Sequence, residues 1–532
     1  MTANYDFIII GAGSAGCVLA NRLSADPAAK VLLLEAGARD RNPLIRIPIG
    51  VNYTVGSKID WQMLSEPEPG LDGRQINLPR GKVLGGSSAI NGMIFVRGHA
   101  EDFNDWERGG ATGWNYDAVL PYFKRLENWH GPASQARGSL GPIAVAYGKY
   151  RTPLLEAFLH AGEQMGYSVV DDYNTGNHEG FNWVQYNIDP DKAVRVSAAH
   201  GYLQPVRDRK NLTIVTGAHV VGLTIAQQRC TGLRYVVDGK EITVCAGETI
   251  LSAGSYMSPQ LLMLSGIGPA DDLSRVGIKP VHDLPGVGQN LQDHVGALVQ
   301  FASTKPLTYY SLKNPMRGAK ALAEYLFQNS GPIAVFPMAV QSFLKSDPSQ
   351  ERPNLQIQFY PVSRDLKDPA GKIGTFSAYS LQYGLMRPKS RGALTLRSAN
   401  PFEQPRIQHN FLTHPDDVQA MTDALRLVRE IGSQAAFKEF SGGEMDPGLD
   451  VQSDADIQAY NRRVLASELH PAGTCKMGSD ELAVVDPELR VRGIEGLRVA
   501  DVSIMPVLTS GNTNAPAMMI GERASALILG QA

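Results

Sequence analysis

The chain has 532 residues, 50 Lys and Arg against 53 Asp and Glu (a net charge of −3), and 43 % hydrophobic against 19 % charged residues. That balance excludes a mainly disordered chain, and the scattered basic residues exclude the basic stripe of a nucleic-acid binder. Cys17, Cys230, Cys245 and Cys475 lie too far apart for a disulfide framework or a zinc site, so a reducing compartment is expected and no metal centre is.

In chain order, residues 5–10 are β-rich, 11–16 form a glycine turn, 17–23 continue as a helix, and 31–34 are a second buried strand ending in Glu35. This is a βαβ unit of the size a parallel crossover needs. The apolar run 7–20 has the look of a signal peptide. However, Asp6 precedes it instead of Lys or Arg, and it is shorter than the roughly 20 residues that cross a bilayer. A cytoplasmic protein without a transmembrane segment, at most peripheral to a membrane, is expected. Residues 40–110 read as an extended loop region containing a glycine–serine cluster at 81–98. Strands are expected at 211–215, 220–225, 242–251 and 393–397, and helices at 320–327, 416–431 and 516–529. In the second of these helices Val418, Met421, Leu425 and Val428 recur at steps of three and four. The last begins with Pro516 at its first position. Neither repeats nor long linkers interrupt the chain, which suits two intertwined domains.

Gly11, Gly13 and Gly16 match G-x-G-x-x-G between a strand and a helix. The first glycine makes the turn, the second admits a pyrophosphate to backbone N–H groups, and the third lets helix pack on strand. The helix N-terminus adds partial positive charge, and Glu35 stands where an acid bonds the ribose hydroxyls. FAD and NAD both remain open on this motif alone. In the cluster at 81–98, Gly85, Gly86, Ser87 and Ser88 would leave amides and hydroxyls free for a phosphate or a flat ring. G-x-S-x-G, H-E-x-x-H and the P-loop pattern are absent, so hydrolase, zinc and P-loop chemistries lack a foundation.

The block 81–98 resembles the first signature of the glucose–methanol–choline oxidoreductase family, and 254–268 resembles its second. Blocks 286–294, 388–392, 470–478 and 510–516 are also similar to family blocks, so the likeness covers nearly the whole chain. It implies an α/β protein, α+β overall: a Rossmann-like FAD-binding domain (1–150, 195–300 and 465–532) interleaved with a substrate-binding domain (151–194 and 301–464) built on an antiparallel sheet with helices. It implies FAD contacts from Gly11, Gly13, Ser14, Ala15, Gly16, Glu35, Ala36, Arg80, Gly81, Val83, Gly85, Gly86, Ser87, Asn91, Gly92, Met93, Ile94, Val220, Ala253, Gly254, Asp501, Val502, Asn514, Ala515 and Pro516. The family's tethering histidine corresponds here to Ile90, so FAD is expected to be non-covalent.

The same resemblance puts the catalytic base at His470 and its partner at Asn514. A neutral imidazole can accept a hydroxyl proton, and an amide donor can hold the alcohol oxygen as it gains negative charge. Choline-oxidising members carry a carboxylate that falls on Ala339 and a histidine that falls on Gln358. A quaternary ammonium needs an anion or an aromatic cage, so a neutral primary alcohol or polyol is the expected substrate, ahead of choline or a sorbose-type sugar. The contender from another class is a hydroxynitrile lyase, which keeps FAD without redox turnover. In oxygen-reactive members the residue two before the base is small and apolar, and here it is Glu468. A carboxylate there brings water and negative charge, which favours a dehydrogenase using a quinone or an electron-transfer partner over an oxidase using O2.

Overall fold

The computed structural model describes residues 3–366 and 374–531. Its first sheet grows from the opening βαβ unit. Strand Ala3–Ile10 pairs in parallel with Val31–Glu35 on one side and Lys240–Leu251 on the other. Leu212–Thr216 extends the parallel set beyond Val31–Glu35, and Leu497–Val499 joins Lys240–Leu251 from the far end of the sequence. Arg229–Val237 and His219–Ala226 continue the sheet antiparallel. Val31–Glu35 is buried along its whole length, as a strand covered on both faces should be.

Helix Ser14–Leu23 packs on this sheet and on the final helix Asn514–Ile528. Their contact is close because Gly521 lacks a side chain: a Cβ there would lie 2.9 Å from the Ala15 carbonyl oxygen. Beside it the buried Glu522 accepts from Arg22, with an oxygen 2.6 Å away, and from the Tyr202 hydroxyl at 2.7 Å. The buried carboxylate is thus paired and hydrogen-bonded. The final helix starts at Asn514, so Pro516 is its third residue and not its first.

The second sheet is antiparallel, in the order Ser441–Asp446, Val295–Ser303, Ala378–Leu385, Leu355–Tyr360, Val340–Leu344, Gly180–Trp183. Helix Pro415–Ser433 covers it, and the Tyr379 ring stacks with Phe301, Phe359 and Phe437 at centroid distances of 5.4, 5.4 and 5.5 Å. The fold is therefore the mixed α/β arrangement expected. The expected loop region differs in part. Ala100–Arg108, inside the expected loop region, is a helix. It is too short to show a period, but it is capped at both levels: His99 Nδ1 accepts from the Glu101 N–H, and Asp102 accepts from the His99 N–H at 2.8 Å.

Candidate active site

A cavity of about 450 Å³ lies between the two sheets, lined by Glu35, Ala218 and Val220 in one part and by His470, Glu468 and Phe336 in another. Its walls are bare backbone where the glycine loops meet. Gly11 adopts φ +97°, and a Cβ on Gly16 would fall 1.9 Å from the Gly11 oxygen. The Gly85 N–H donates to the Ala12 carbonyl at 2.8 Å, and a Cβ on Gly86 would stand 2.7 Å from the Gly13 Cα. The two glycine clusters, far apart in sequence, thus form one cradle. The first turn of helix Ser14–Leu23 opens onto it, as a diphosphate requires.

Among the residues expected to hold the cofactor, Gly16, Val83, Gly85, Ala515 and Pro516 do not line the cavity; the others do. Those five pack behind the lining, where Gly16 and Gly85 hold the turn in place. Glu35 braces the loop directly: its two oxygens accept from the N–H groups of Ala12 (2.9 Å) and Gly37 (2.8 Å). Burial nevertheless pushes its carboxyl up to about 7, against those two donors. A carboxylate has further lone pairs to offer a ribose. Glu35→Ala should therefore purify folded but with less than full FAD, and a variant retaining FAD with unchanged dissociation would refute this role.

Asp501 pins the start of helix Gly254–Leu264. One oxygen accepts from the Gly254 N–H at 2.8 Å and the Ser258 hydroxyl at 2.6 Å, and the other from the Ser503 N–H. Asn91 is oriented by Arg195, a buried cation that also bonds the Ile45 carbonyl. Ile90 lines the cavity and offers no nucleophilic atom. Acid or heat denaturation should release all the yellow colour into the supernatant; colour left with the precipitate would mean a covalent flavin.

The His470 end of the cavity is organised by a short loop held from several directions. Leu469, directly before His470, sits at φ +68°, a left-handed conformation that costs a leucine roughly 1–2 kcal/mol. Surrounding bonds impose it. The His470 N–H donates to Asp293 Oδ1 at 2.7 Å, Ser467 Oγ to Asp293 Oδ2 at 2.5 Å, and Arg80 to the Leu469 carbonyl at 2.7 Å. Burial pushes the Asp293 carboxyl up, and His409, Ser467, Arg80 and the His470 N–H oppose that shift. The result is that residues 468 and 470 both face the cavity.

The His470 ring is gripped at both nitrogens. Its Nδ1 lies 2.9 Å from His294 Nδ1, and its Nε2 lies 3.1 Å from Asn512 Nδ2. An amide nitrogen can only donate, so Nε2 is the acceptor in this pair. The proton of neutral His470 then sits on Nδ1 and is donated to His294. Burial, His294 and Arg80 all hold His470 well below the ordinary histidine value, and burial takes His294 down to about 3. The pair is neutral near physiological pH, with the basic lone pair of Nε2 at the cavity.

Asn514 lines the same cavity, but its Oδ1 accepts from Ser14 Oγ at 2.8 Å, and the amide on the His470 ring is that of Asn512. Asn512, Asp293 and His294 are not among the residues expected at the site, although all three fall inside blocks that carry the resemblance.

Glu468 is half-buried and lines the cavity. Its oxygens accept from Gln382 Nε2 at 3.1 Å and Gln358 Nε2 at 3.4 Å, and Gln358 in turn accepts from the Tyr360 hydroxyl. The carboxyl occupies a notch between Gly296 and Gly384, which are direct cross-strand partners. A Cβ on either would come within 2.5 or 2.2 Å of a Glu468 oxygen. Burial pushes its carboxyl up to about 7. Ligand atoms of His294, Glu468 and His470 all lie within 4.8 Å of one another. Ala339, expected at the acid position of choline-oxidising relatives, is absent from the lining. The His470 end of the cavity nevertheless has an acid, Glu468.

A glycine-lined cradle that ends at a paired imidazole and amide suits a nucleotide cofactor held beside a base able to take a hydroxyl proton. Comparison with known proteins agrees. The family description GMC oxidoreductase matches residues 5–296 and again 388–521. An oxygen-dependent choline dehydrogenase of Rhizobium etli (strain CIAT 652) is 46 % identical, over 99 % of this chain and 96 % of its own length. One from Brucella melitensis biotype 1 (strain 16M) has the same identity and coverage. Among solved structures, pyridoxine 4-oxidase from Mesorbium loti superposes with a TM-score of 0.91 at 31 % identity, covering 99 % of this chain and 100 % of the other. A variant of Aspergillus oryzae formate oxidase gives 0.92 at 28 % identity, covering 99 % and 98 %. The chain belongs to the GMC oxidoreductase family. It is an FAD-binding enzyme that oxidises alcohols.

Proposed function

We propose that this enzyme oxidises a neutral primary alcohol or polyol and delivers the electrons to a quinone or similar organic acceptor in preference to oxygen. The observation that carries the reading is His470 Nε2, unprotonated at the cavity with an amide donor 3.1 Å away. His470 takes the hydroxyl proton, and the neighbouring asparagine amides hold the oxygen as negative charge develops. FAD held by the Gly11–Gly16 and Gly85–Ser87 loops and Glu35 would supply the two-electron acceptor for the hydride that leaves the carbinol carbon. The dry surroundings of His470 and His294 keep the base neutral until the alcohol arrives.

A neutral substrate fits the charge balance. Glu468 is the acid at this end of the cavity, both its oxygens already accept amide hydrogens, and Arg80 and Arg364 line the same space. A second reading, a cationic alcohol resembling choline, draws on Glu468 beside Phe336 and Tyr360, whose ring centroids lie 6.2 Å apart at 86°. A panel of alcohols separates the two. Neutral primary alcohols should turn over with a KM that Glu468→Gln leaves within a few-fold, whereas a cationic substrate would lose binding in that variant.

The acceptor is tested on the same protein. Turnover with a dye acceptor should exceed that in air-saturated buffer by at least about tenfold, or about 1.4 kcal/mol of barrier. Hydrogen peroxide formed at comparable rates would make the enzyme an oxidase. Because burial pushes the Glu468 carboxyl up to about 7, its charge is present above that pH and lost below it. Oxygen turnover relative to dye turnover should therefore fall as pH rises through about 7.

A further inference from the structure

The helix Pro315–Gln328 is turned inside out relative to an ordinary surface helix. It is well specified locally: the Asn314 side chain caps it, Pro315 opens it, and Asn329 closes it in a left-handed conformation. Within it only Ala321 is buried. At 3.6 residues per turn, Met316, Ala319, Leu322, Ala323, Leu326 and Phe327 share an arc of about 140°. That arc faces outward, with Met316 80 %, Leu326 61 % and Phe327 84 % exposed. A soluble surface helix normally shows solvent its polar side, so a contiguous apolar face of this kind marks a docking surface.

Two further observations say what docks. Lys305, Lys313, Arg317 and Lys320 are all exposed in and just before the helix, against the single acid Glu324. An apolar helical face flanked by excess cations is the pattern of a helix lying in the interface of an anionic bilayer. The face is also next to the cavity. The helix packs on the turn Pro332–Ala334, which packs on Pro48–Gly50, and the following short helix Val51–Thr54 carries Val51 into the cavity lining and Tyr53 into solvent, 68 % exposed. Val55 both lines the cavity and is 45 % exposed, which marks the rim.

We propose that the helix Pro315–Gln328, with Tyr53 and Val55, docks the enzyme on an anionic lipid surface and sets the cavity mouth against the membrane. Apolar molecules dissolved in the bilayer would then reach the cavity without crossing bulk water. The inference is independent of which alcohol is oxidised.

The test is sedimentation of the FAD-loaded protein with phosphatidylcholine vesicles, with and without phosphatidylglycerol. The expected result is binding to the phosphatidylglycerol vesicles, weakened by added salt. The double variant Leu326→Glu, Phe327→Glu should reduce the bound fraction by at least about tenfold, because it removes apolar area and adds repulsion. Dye-linked turnover of a water-soluble alcohol should be unchanged, which shows that the variant is folded. Wild-type protein left in the supernatant with both vesicle types would overturn the proposal, as would a double variant that binds equally well. Light scattering covers the remaining occupant: a wild-type dimer that the double variant converts to monomer, without vesicle binding, would assign the face to a second copy of this chain.

Discussion

His470→Ala should lose at least about a hundredfold in the rate of flavin reduction by alcohol, since general base catalysis typically supplies 10²–10⁴-fold. In free energy a hundredfold is about 2.7 kcal/mol of transition-state stabilisation. The variant should still bind FAD, because the cradle is built from Gly11, Gly13, Gly86 and Glu35 and does not lean on the imidazole. Stopped-flow reduction under anaerobic conditions, with the flavin spectrum as a check on loading, measures both. Near-normal reduction would remove His470 from the mechanism. The pH profile of the native enzyme gives a second readout. Burial, His294 and Arg80 hold His470 below its ordinary value of 6.5. Its neutral, active form therefore persists below that pH, and the acidic limb of kcat/KM belonging to His470 should lie below 6.5.

The second large effect separates two neighbouring asparagines. Removing one donor to a developing oxyanion costs about 10²–10³-fold. Asn512→Ala should show that loss in kcat, because its Nδ2 stands 3.1 Å from His470 Nε2, where the reacting hydroxyl must also lie. Asn514→Ala should lose less in kcat and more in FAD retention, because its oxygen holds Ser14 at the start of the helix that faces the diphosphate. Single-turnover rates and FAD dissociation constants for the two variants check this. The opposite pattern, with Asn514→Ala carrying the rate loss, would return the oxygen-binding role to Asn514.

The opening of the chain was legible because its signals are local. Glycines at 11, 13 and 16 between a strand and a helix mark the tight turn of a βαβ unit, and Ser14–Leu23 and Val31–Glu35 follow within a residue or three of expectation. Helix Pro415–Ser433 was legible for the same reason, its stripe of Val418, Met421, Leu425 and Val428 recurring with the helical period. The antiparallel sheet was harder to place strand by strand. Val295–Ser303 is buried over most of its length, and a strand covered on both faces lacks the alternation that marks a half-exposed one.

The site divides along the same line. Sequence by itself marked the glycine cradle and Glu35, because they sit in a short motif whose chemistry its neighbours define, while His470 and Ile90 stood out only through the family resemblance. Tertiary structure alone decided how those residues are set. His294 meets His470 across 176 positions, and Ser14 meets Asn514 across 500. Whether Asn512 or Asn514 turns toward the base depends on the path of the chain into the last helix, which single-residue spacing cannot register. Glu468 shows the physical reason most plainly. A glutamate in a loop is ordinarily a solvated charge. Here two facing glycines, Gly296 and Gly384, open a notch between paired strands, burial lifts the carboxyl to about 7, and Gln358 and Gln382 hold it. Desolvation and long-range hydrogen bonding are properties of the assembled interior, and only the assembled interior could assign them.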